Sequence, residues 1–311
     1  MIVTLTLNPC LDKVLELDRL IPGQELDVRV AVVAAAGKGI NVARMARALG
    51  EEPLAVWVCA GSTGARVAEL LDSEGIRHRR VEVAGETRTA YTIAERALNR
   101  ATRLFEPGPR LTPADARRIE KEVCALLRPG DVLVLSGSAP SPAGEEAYAA
   151  LIAWAAAQDI KTVVDTRDAA LARSLAAGPY LVKMNQAEAA QATGVEVRGP
   201  VEAEGVVRQL RKSAAVALVS LGAAGAVLGT AAGAWFAASP EVRVASPVGS
   251  GDAMVGAVVW AMQAGLPAPD WLRWGVAAGA ANAASWLPAG CSRGEVAALV
   301  PGIQMEQLGQ P

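Results

Sequence analysis

The chain has 311 residues, of which 52% are hydrophobic and 20% charged, so it can bury the core of one or two domains. Its 30 basic and 32 acidic side chains leave a net charge of −2, which gives no long-range attraction to nucleic acid or to an anionic membrane. Four scattered cysteines and a single histidine argue against a zinc site, and without a signal peptide or an apolar run of about 20 residues we expect a cytoplasmic protein.

Short β-branched segments alternate with alanine-rich stretches of helical length along most of the chain. The segments are IVTLTLN, VWVCAG, DVLVLSGS, KTVVDT, YLVKMN and VALVSLG. This alternation predicts an α/β fold around a parallel sheet, and such apolar strands suit a sheet with helices on both faces. A predicted helix over 112–127 has Thr112 as N-cap and Pro113 in its first position, and another over 39–49 ends before Gly50.

Two stretches break this alternation. Residues 13–34 alternate apolar with charged side chains, and residues 87–106 do so around a turn near Asn99. Two half-exposed hairpins early in an α/β chain predict a small second β layer that acts as a lid. The predicted division assigns residues 1–12, 35–86 and 107–311 to the α/β core and residues 13–34 and 87–106 to the β lid.

The segment SPVGSGDAMVGAVVW, residues 246–260, places an aspartate at the start of an apolar helix. Gly249 and Gly251 allow close approach of the backbone, and the free N–H groups of a helix start attract an anion. Beside such an anion hole, Asp252 could accept the proton of an attacking hydroxyl, or it could only cap the helix. The segment is neither a Walker A loop nor a dinucleotide fingerprint.

Two further motifs suit a sugar or an anion. In AAGKGINVARMARALG, Gly37 and Lys38 lie where a strand gives way to a helix, which is typical of an anion contact, and Asn41 could bind a sugar hydroxyl. The alternative is a tight turn with a solvated lysine. In TLNPCLD, Asp12 could accept hydrogen bonds from vicinal hydroxyls, although this segment alone favours an ordinary loop aspartate.

Two motifs suit a nucleotide and its metal. In KMNQAE, Asn185 and Glu188 share one face of a helix and could hold Mg²⁺ through water, although a capping box explains them nearly as well. The segment VSLGAAGAVL predicts a strand, a glycine turn and a second strand. This unit could pass under a nucleotide or be only a hairpin.

Taken in order, these motifs resemble the PfkB/ribokinase family of sugar kinases, in particular its hexose-phosphate branch of 1-phosphofructokinase and tagatose-6-phosphate kinase. The matching segments are TLNPCLD, GKGINVARMARALG, GETR, EPGP, LSGSAP, VDT, LVKMNQAE, VSLGAAGAVL and VGSGDAMVGAVVWAM. The resemblance covers nearly the whole chain. It implies a ribokinase-like parallel-sheet core with a β lid, an active site between them, and ATP with Mg²⁺ as cofactors.

The resemblance also implies roles for individual residues. Asp252 would be the catalytic base, and the backbone of Gly249, Ser250 and Gly251 would form the anion hole. Sugar contacts would come from Asp12, Gly37, Lys38 and Asn41, and the phosphate already on the substrate would lie near Arg88 and Ser138. Asn185 and Glu188 would form the magnesium motif, and Ser220, Gly222, Gly225 and Asn282 would line the ATP side.

We therefore expect an ATP-dependent kinase that converts a ketohexose phosphate, fructose 1-phosphate or tagatose 6-phosphate, to a 1,6-bisphosphate. The alternatives are a same-fold kinase of an unphosphorylated sugar or nucleoside, and a non-catalytic sugar-phosphate sensor. The sequence departs from the family pattern at Ala35-Ala36, Met184 and Phe105, and the departures at Ala35-Ala36 and Phe105 bear on the identity of the sugar. Alternating apolar residues in the lid, together with the resemblance, predict a homodimer joined through the lids.

Overall fold

The computed structural model describes residues 1–98 and 100–309, and in this part of the chain it contains fourteen β-strands and ten α-helices. The strands are β1 (Ile2–Thr6), β2 (Cys10–Leu17), β3 (Arg29–Ala36), β4 (Leu54–Cys59), β5 (His78–Glu82), β6 (Arg88–Glu95), β7 (Arg100–Phe105), β8 (Val132–Ser136), β9 (Lys161–Asp165), β10 (Leu181–Asn185), β11 (Val216–Ser220), β12 (Gly225–Thr230), β13 (Gly233–Ala238) and β14 (Met305–Leu308). The helices are α1 (Lys38–Ala48), α2 (Gly61–Ser73), α3 (Pro113–Leu126), α4 (Pro142–Ala157), α5 (Asp168–Ala176), α6 (Gln186–Thr193), α7 (Pro200–Leu210), α8 (Ser250–Gln263), α9 (Ala268–Ala283) and α10 (Arg293–Leu299).

Ten strands form the main sheet, in the order β14-β13-β12-β11-β10-β9-β8-β1-β4-β5. The seven strands from β11 to β5 pair in parallel, and β12, β13 and β14 add an antiparallel edge. Every residue of β1 and β8 is buried, as expected for strands covered on both faces. The predicted α/β fold with a parallel core is confirmed.

Helices cover both faces of this sheet. Val132 and Val134 of β8 pack into one core with α1, α8 and α9, whereas the alternate residues Leu133 and Leu135 pack into another with α3 and α4. A third core lies under α7 and the strands β10 to β12. Within residues 1–98 and 100–309, no helix is both long and apolar enough to cross a membrane.

The predicted helix signals lie where the helices begin and end. α3 starts at Pro113, and the Thr112 side chain accepts a hydrogen bond from the Asp115 N–H in a complete capping box. α1 runs from Lys38 to Ala48, one residue earlier than predicted at each end, and Gly50 follows it with a φ of +105°. Local capping chemistry is therefore sufficient to place these helix ends.

The second sheet has four strands in the order β3-β2-β6-β7. β2 pairs antiparallel with β3 and parallel with β6, and β6 pairs antiparallel with β7. Cys10 of β2 pairs with Ala36 of β3 on one side and with Arg88 of β6 on the other. The start of β2, the end of β3 and the start of β6 are therefore adjacent. This sheet is the small β layer that the alternating stretches predict.

The second sheet includes residues on either side of 13–34 that the predicted division assigned to the core. β2 begins at Cys10, so Asp12 lies within this sheet, and β3 continues to Ala36. Residues 96–98 form a turn between β6 and β7. Asn99, around which the turn was predicted, lies outside the described residues. The division into a core domain and a lid domain stays a prediction.

Candidate active site

A cavity of about 1340 Å³ lies where the carboxyl ends of the parallel strands meet the second sheet. The strands β8, β9, β10 and β11 end here, at Ser136, Asp165, Asn185 and Ser220. In open α/β sheets, ligands bind at this edge. Among the described residues, every position that the sequence assigns to the site lines this cavity, except Asn282.

The backbone before and within the first turn of α8 is packed too closely for side chains. Gly249 precedes the helix with a φ of +82°, and a Cβ there would lie 2.8 Å from the Cβ of Pro288. A Cβ on Gly251 would lie 2.8 Å from the Nζ of Lys183. The start of α8 lines the cavity, and the positive end of a helix attracts an anion, although the Ser250 N–H already donates to the Pro247 carbonyl at 3.3 Å.

Asp252 is the third residue of α8 and does not cap it, because the N-cap is Gly249. The carboxylate is buried and accepts a hydrogen bond of 2.7 Å from the Nδ2 of Asn41. The sequence assigns Asn41 to the sugar. In the structure, however, its Nδ2 donates to Asp252 and its Oδ1 accepts from Arg44 at 3.0 Å. Asn41 is therefore primarily a partner of Asp252.

Charges around Asp252 set its proton affinity. Burial, together with the nearby Asp165 carboxylate, raises the pKa of Asp252 to about 6. The Lys38 cation, the Asn41 hydrogen bond and the Lys183 cation lower this pKa, but by less than burial and Asp165 together raise it. A carboxyl group with a pKa just below neutrality is ionised at pH 7 and still basic enough to accept a proton. The site therefore suits a general base.

An ion cluster of the half-buried Lys38 with the buried Asp165 and Lys183 lies beside Asp252, and sequence reasoning missed the two buried members. The Nζ of Lys38 is 2.9 Å from the Oδ1 of Asp165, and the Nζ of Lys183 is 3.6 Å from the same oxygen. Burial lowers the pKa of Lys38, but the surrounding carboxylates outweigh it and hold this pKa above its ordinary value. Burial likewise opposes ionisation of Asp165, but the two lysines keep its pKa below the ordinary value. Both missed residues lie in segments of the resemblance, VDT and LVKMN, with Asp165 at the end of β9 and Lys183 in the middle of β10.

Asn185 and Glu188 form the capping box that was the alternative interpretation. The Oδ1 of Asn185 accepts from the Glu188 N–H at 2.9 Å, and the Oε2 of Glu188 accepts from the Asn185 N–H at 2.9 Å. The Oε1 of Glu188 stays 3.9 Å from the Nζ of Lys38, at the cavity wall. In the described part of the chain, no three His, Cys, Asp or Glu side chains are grouped to hold a metal ion. These residues suit an ion that keeps most of its water or phosphate ligands, as Mg²⁺ does.

Polar atoms at the other end of the cavity lack partners. Within residues 1–98 and 100–309, the Oδ1 atoms of Asn8 and Asp12 and the Nε of Arg88 are buried without a hydrogen bond. The Nη2 of Arg88 donates to the Asn8 carbonyl at 3.1 Å, and the Nδ2 of Asn8 donates to the Oγ of Ser138 at 3.0 Å. Since an unpaired buried polar atom is costly, this end is built for a polar ligand. Asp12 is a strand residue, not the loop aspartate of the alternative.

Two arginines of the lid share one aromatic ring. The Arg88 guanidinium lies 5.6 Å from the centroid of the Phe105 ring, and that of Arg103 lies 4.6 Å from it. All three side chains line the cavity, and the sequence analysis did not select Arg103. Cation–π contacts of this kind hold two like charges near each other, which favours an anion between or beside them.

The glycine hairpin lines the opposite part of the cavity. β11 and β12 pair antiparallel around a short 3₁₀ turn over Gly222–Ala224, which confirms the predicted strand, turn and strand. Gly225 has a φ of +118°, and a Cβ there would overlap the carbonyl of Ala237. Ser220, Gly222 and Gly225 all face the cavity.

Asn282 does not reach the cavity, contrary to the expectation that it lines the ATP side. Its fully buried side chain donates to the Val248 carbonyl at 2.8 Å and to the Oγ of Ser250 at 3.0 Å, and accepts from the Ala289 N–H at 2.6 Å. It therefore ties together the two segments on either side of the helix start. The spacing of the sequence gives no signal for such a role.

Comparison with known proteins identifies the family. A profile described as "pfkB family carbohydrate kinase" matches residues 5–291. The chain belongs to the pfkB family of carbohydrate kinases. The predicted family is thereby confirmed, and this pfkB-family protein is a phosphotransferase with a hydroxyl group as acceptor.

Relatives of this pfkB-family chain cover most of its length. It is 31% identical over 297 residues to the ATP-dependent 6-phosphofructokinase isozyme 2 of Mycobacterium tuberculosis, which covers 95% of this chain and 87% of that protein. It is 34% identical over 271 residues to the 1-phosphofructokinase of Rhodobacter capsulatus, with 85% and 84% covered. The crystal structure of phosphofructokinase-2 from Escherichia coli in complex with fructose-6-phosphate matches with a TM-score of 0.89 at 31% identity, over 97% of this chain and 98% of that chain.

Proposed function

We propose that this enzyme transfers the γ-phosphoryl group of ATP to a ketohexose phosphate and releases a 1,6-bisphosphate. The proposal rests on two parts of one cavity. In one part the buried carboxylate of Asp252 lies at the start of α8, and in the other Arg88 and Arg103 lie near polar atoms that have no hydrogen-bond partner among residues 1–98 and 100–309. The first arrangement suits phosphoryl transfer, and the second suits a phosphate already on the substrate. The relatives named above are 6-phosphofructokinases and a 1-phosphofructokinase, in agreement with such a substrate.

Asp252 acts as the general base in this proposal. Its carboxylate accepts the proton of the sugar hydroxyl, and the hydroxyl oxygen attacks the γ-phosphorus in line with the leaving oxygen. The N–H groups at the start of α8 donate to the equatorial oxygens as negative charge develops on them. Lys38 adds a fixed positive charge, because its partners keep it protonated.

ATP would bind together with Mg²⁺, which would supply positive charge to the phosphates. Glu188, with one oxygen directed to Lys38, and Asn185 are the residues that would hold water ligands of the ion. The adenosine side would lie along the glycine hairpin, at Ser220, Gly222 and Gly225. The small glycines leave the backbone open to close approach there.

The sugar phosphate lies between the core and the lid. Asp12 binds vicinal hydroxyls through its unpartnered oxygen, and Arg88 with Arg103 and Ser138 binds the phosphate. A furanose with two similar CH₂O arms can present either end, so fructose 1-phosphate, tagatose 6-phosphate and fructose 6-phosphate all fit this scheme. The cationic pair argues against a neutral sugar or a nucleoside, which needs no such pair.

The lid also supports the proposal of a homodimer. Val30 and Val33 on the edge strand β3 and Leu104 on the other edge strand, β7, are exposed at 55%, 38% and 51%, and Val28, just before β3, is exposed at 44%. Exposed apolar side chains at both edges of a small sheet are a surface that a second copy would cover with twofold symmetry. The expected contact joins lid to lid.

The proposal is tested by an ATP-coupled activity panel. The purified enzyme is assayed with fructose 1-phosphate, tagatose 6-phosphate, fructose 6-phosphate, fructose, ribose and adenosine at matched concentrations. We expect a kcat/KM for one ketohexose phosphate at least about 100-fold above that for every unphosphorylated acceptor. Preference for an unphosphorylated acceptor would establish the same-fold alternative, and binding of a sugar phosphate without turnover of any acceptor would establish the sensor.

A further inference from the structure

Arg44 is a buried arginine of α1 that lies behind the cavity wall and uses all five of its N–H donors. Its Nε and Nη2 bind the Glu74 carboxylate at 2.7 and 3.1 Å. Its Nη1 donates to the Oδ1 of Asn41 and to the Pro288 carbonyl, each at 3.0 Å, and its Nη2 also donates to the Ala35 carbonyl at 2.6 Å. Such complete use of a guanidinium fixes the side chain in one position.

The contact with Asn41 has a consequence for Asp252. The two ends of an asparagine amide are similar in size, so the surrounding hydrogen bonds decide which end points where. Arg44 can only donate, and it therefore holds the Asn41 oxygen on its own side. The Asn41 nitrogen is left to donate to Asp252 at 2.7 Å. With the amide reversed, an oxygen would face the carboxylate and repel it.

The other contacts of Arg44 lead to the same site. The Pro288 carbonyl belongs to the residue whose side chain packs against Gly249, at the start of α8. The Ala35 carbonyl belongs to the end of β3, just before the chain passes from the second sheet to α1. The Arg44 guanidinium therefore contacts Asn41, which is the hydrogen-bond partner of Asp252, the Pro288 segment beside the start of α8, and the end of β3.

We propose that Arg44 is a positioning residue for phosphoryl transfer, which through Asn41 keeps a hydrogen-bond donor directed at Asp252. The proposal rests on the proposed role of Asp252 as the base. Arg44 touches neither substrate in this scheme and acts only through Asn41 and the segment at Pro288. No change in substrate affinity is needed for its effect.

The test separates Arg44 from the other charges that face Asp252. These are Lys38 from α1, Asp165 from the end of β9 and Lys183 from β10. They stay in place in every variant, so a difference between variants reports the Arg44–Asn41 contact. The readout is the acidic limb of the pH profile of kcat, together with the two KM values.

In Arg44→Met the acidic limb should move up by about one pH unit, because the carboxylate loses an oriented donor. At pH 8, above the limb, kcat should fall about tenfold or more, since the base is less well placed. The KM values for ATP and sugar phosphate should change by less than about threefold. Arg47→Met is the matched control: it removes an exposed arginine of the same helix and should leave the profile unchanged.

Two further variants keep the test decisive if Arg44→Met is too unstable to assay. Arg44→Lys retains a cation for Glu74 but has three donors in place of five, and it should shift the limb in the same direction by a smaller amount. Glu74→Gln removes the ion pair but keeps Arg44, so it should lower the melting temperature without moving the limb. A shift in Glu74→Gln as large as in Arg44→Met would reduce the effect to general loosening and overturn the proposal.

A double variant tests the path. Asn41→Ala alone should shift the limb, and Arg44→Met added to it should shift the limb no further. Additive shifts, or an unchanged limb in both Arg44 variants, would contradict the proposal. Asp252→Ala separates this outcome from failure of the proposed function: if Asp252→Ala keeps its turnover, Asp252 is not the base, whereas an inactive Asp252→Ala with an unchanged Arg44→Met limb refutes only the positioning role.

Discussion

Replacing Arg88 by alanine should weaken the binding of the sugar phosphate and spare that of ATP. Arg88 is held in place before the substrate arrives, because its Nη2 donates to the Asn8 carbonyl at 3.1 Å and its ring contact is with Phe105. Its Nε has no hydrogen-bond partner among residues 1–98 and 100–309, and its side chain lines the cavity in which we place the phosphate. Loss of a hydrogen bond to a charged group costs about 1.5–3 kcal/mol. This corresponds to a KM for the sugar phosphate raised by roughly 10- to 150-fold.

The assay is a coupled measurement of ADP release with each substrate varied at saturating levels of the other. Arg96→Ala is the matched control, since Arg96 lies at the far end of the same lid hairpin and pairs with Asp18 at 2.7 Å. We expect the control to leave both KM values unchanged. An equal rise of both KM values in Arg88→Ala, or a rise in the ATP value alone, would refute the assignment of Arg88 to the sugar phosphate.

Three other predictions follow from burial, backbone geometry and exposure. Because burial raises the pKa of Asp252 to about 6, the base carries its proton below that pH, so kcat/KM should be level above pH 7 and fall tenfold per unit well below 6; a level profile down to pH 5 would contradict this. Gly249→Ala should lower the free energy of unfolding by about 1–3 kcal/mol and abolish most activity, because φ is +82° and the new Cβ would meet Pro288. Gly265→Ala is the control for backbone strain alone, since Gly265 also has a positive φ but open space around it. An equal loss of activity in both variants would contradict the packing argument. Val30→Asp, at a side chain 55% exposed on the lid, should convert a dimer of about 64 kDa to a monomer in light scattering, and a monomeric unmodified enzyme would refute the lid dimer.

The sequence is sufficient to predict which segments meet at the site. In a parallel α/β sheet the strand ends lie along one edge, so motifs that follow successive strands must converge there. This is why Ser138, Asn185 and Ser220, which follow or end β8, β10 and β11, could be assigned to one cavity without knowledge of their contacts. The second sheet was also predictable, since strands with one exposed face alternate in a period of two.

The partners within the site could not be predicted, because they join residues far apart in the chain. The Asn41–Asp252 hydrogen bond spans 211 positions and the Lys38–Asp165 ion pair spans 127. Sequence spacing carries no information on which polar groups are left unpaired at such separations. For the same reason Asn41 was assigned to the sugar and Asn282 to ATP, although the first binds Asp252 and the second binds the segments beside the helix start.

The central claim is that Asp252 takes the proton of the acceptor hydroxyl, and Asp252→Asn tests it most directly. The amide keeps the size of the side chain and can still bond Asn41, but it cannot accept the proton. We predict a kcat lowered by about 10²–10⁴-fold, with ATP binding by isothermal titration calorimetry within about threefold of the unmodified enzyme. Turnover close to that of the unmodified enzyme would contradict the account, because the buried carboxylate would then serve packing and not proton transfer.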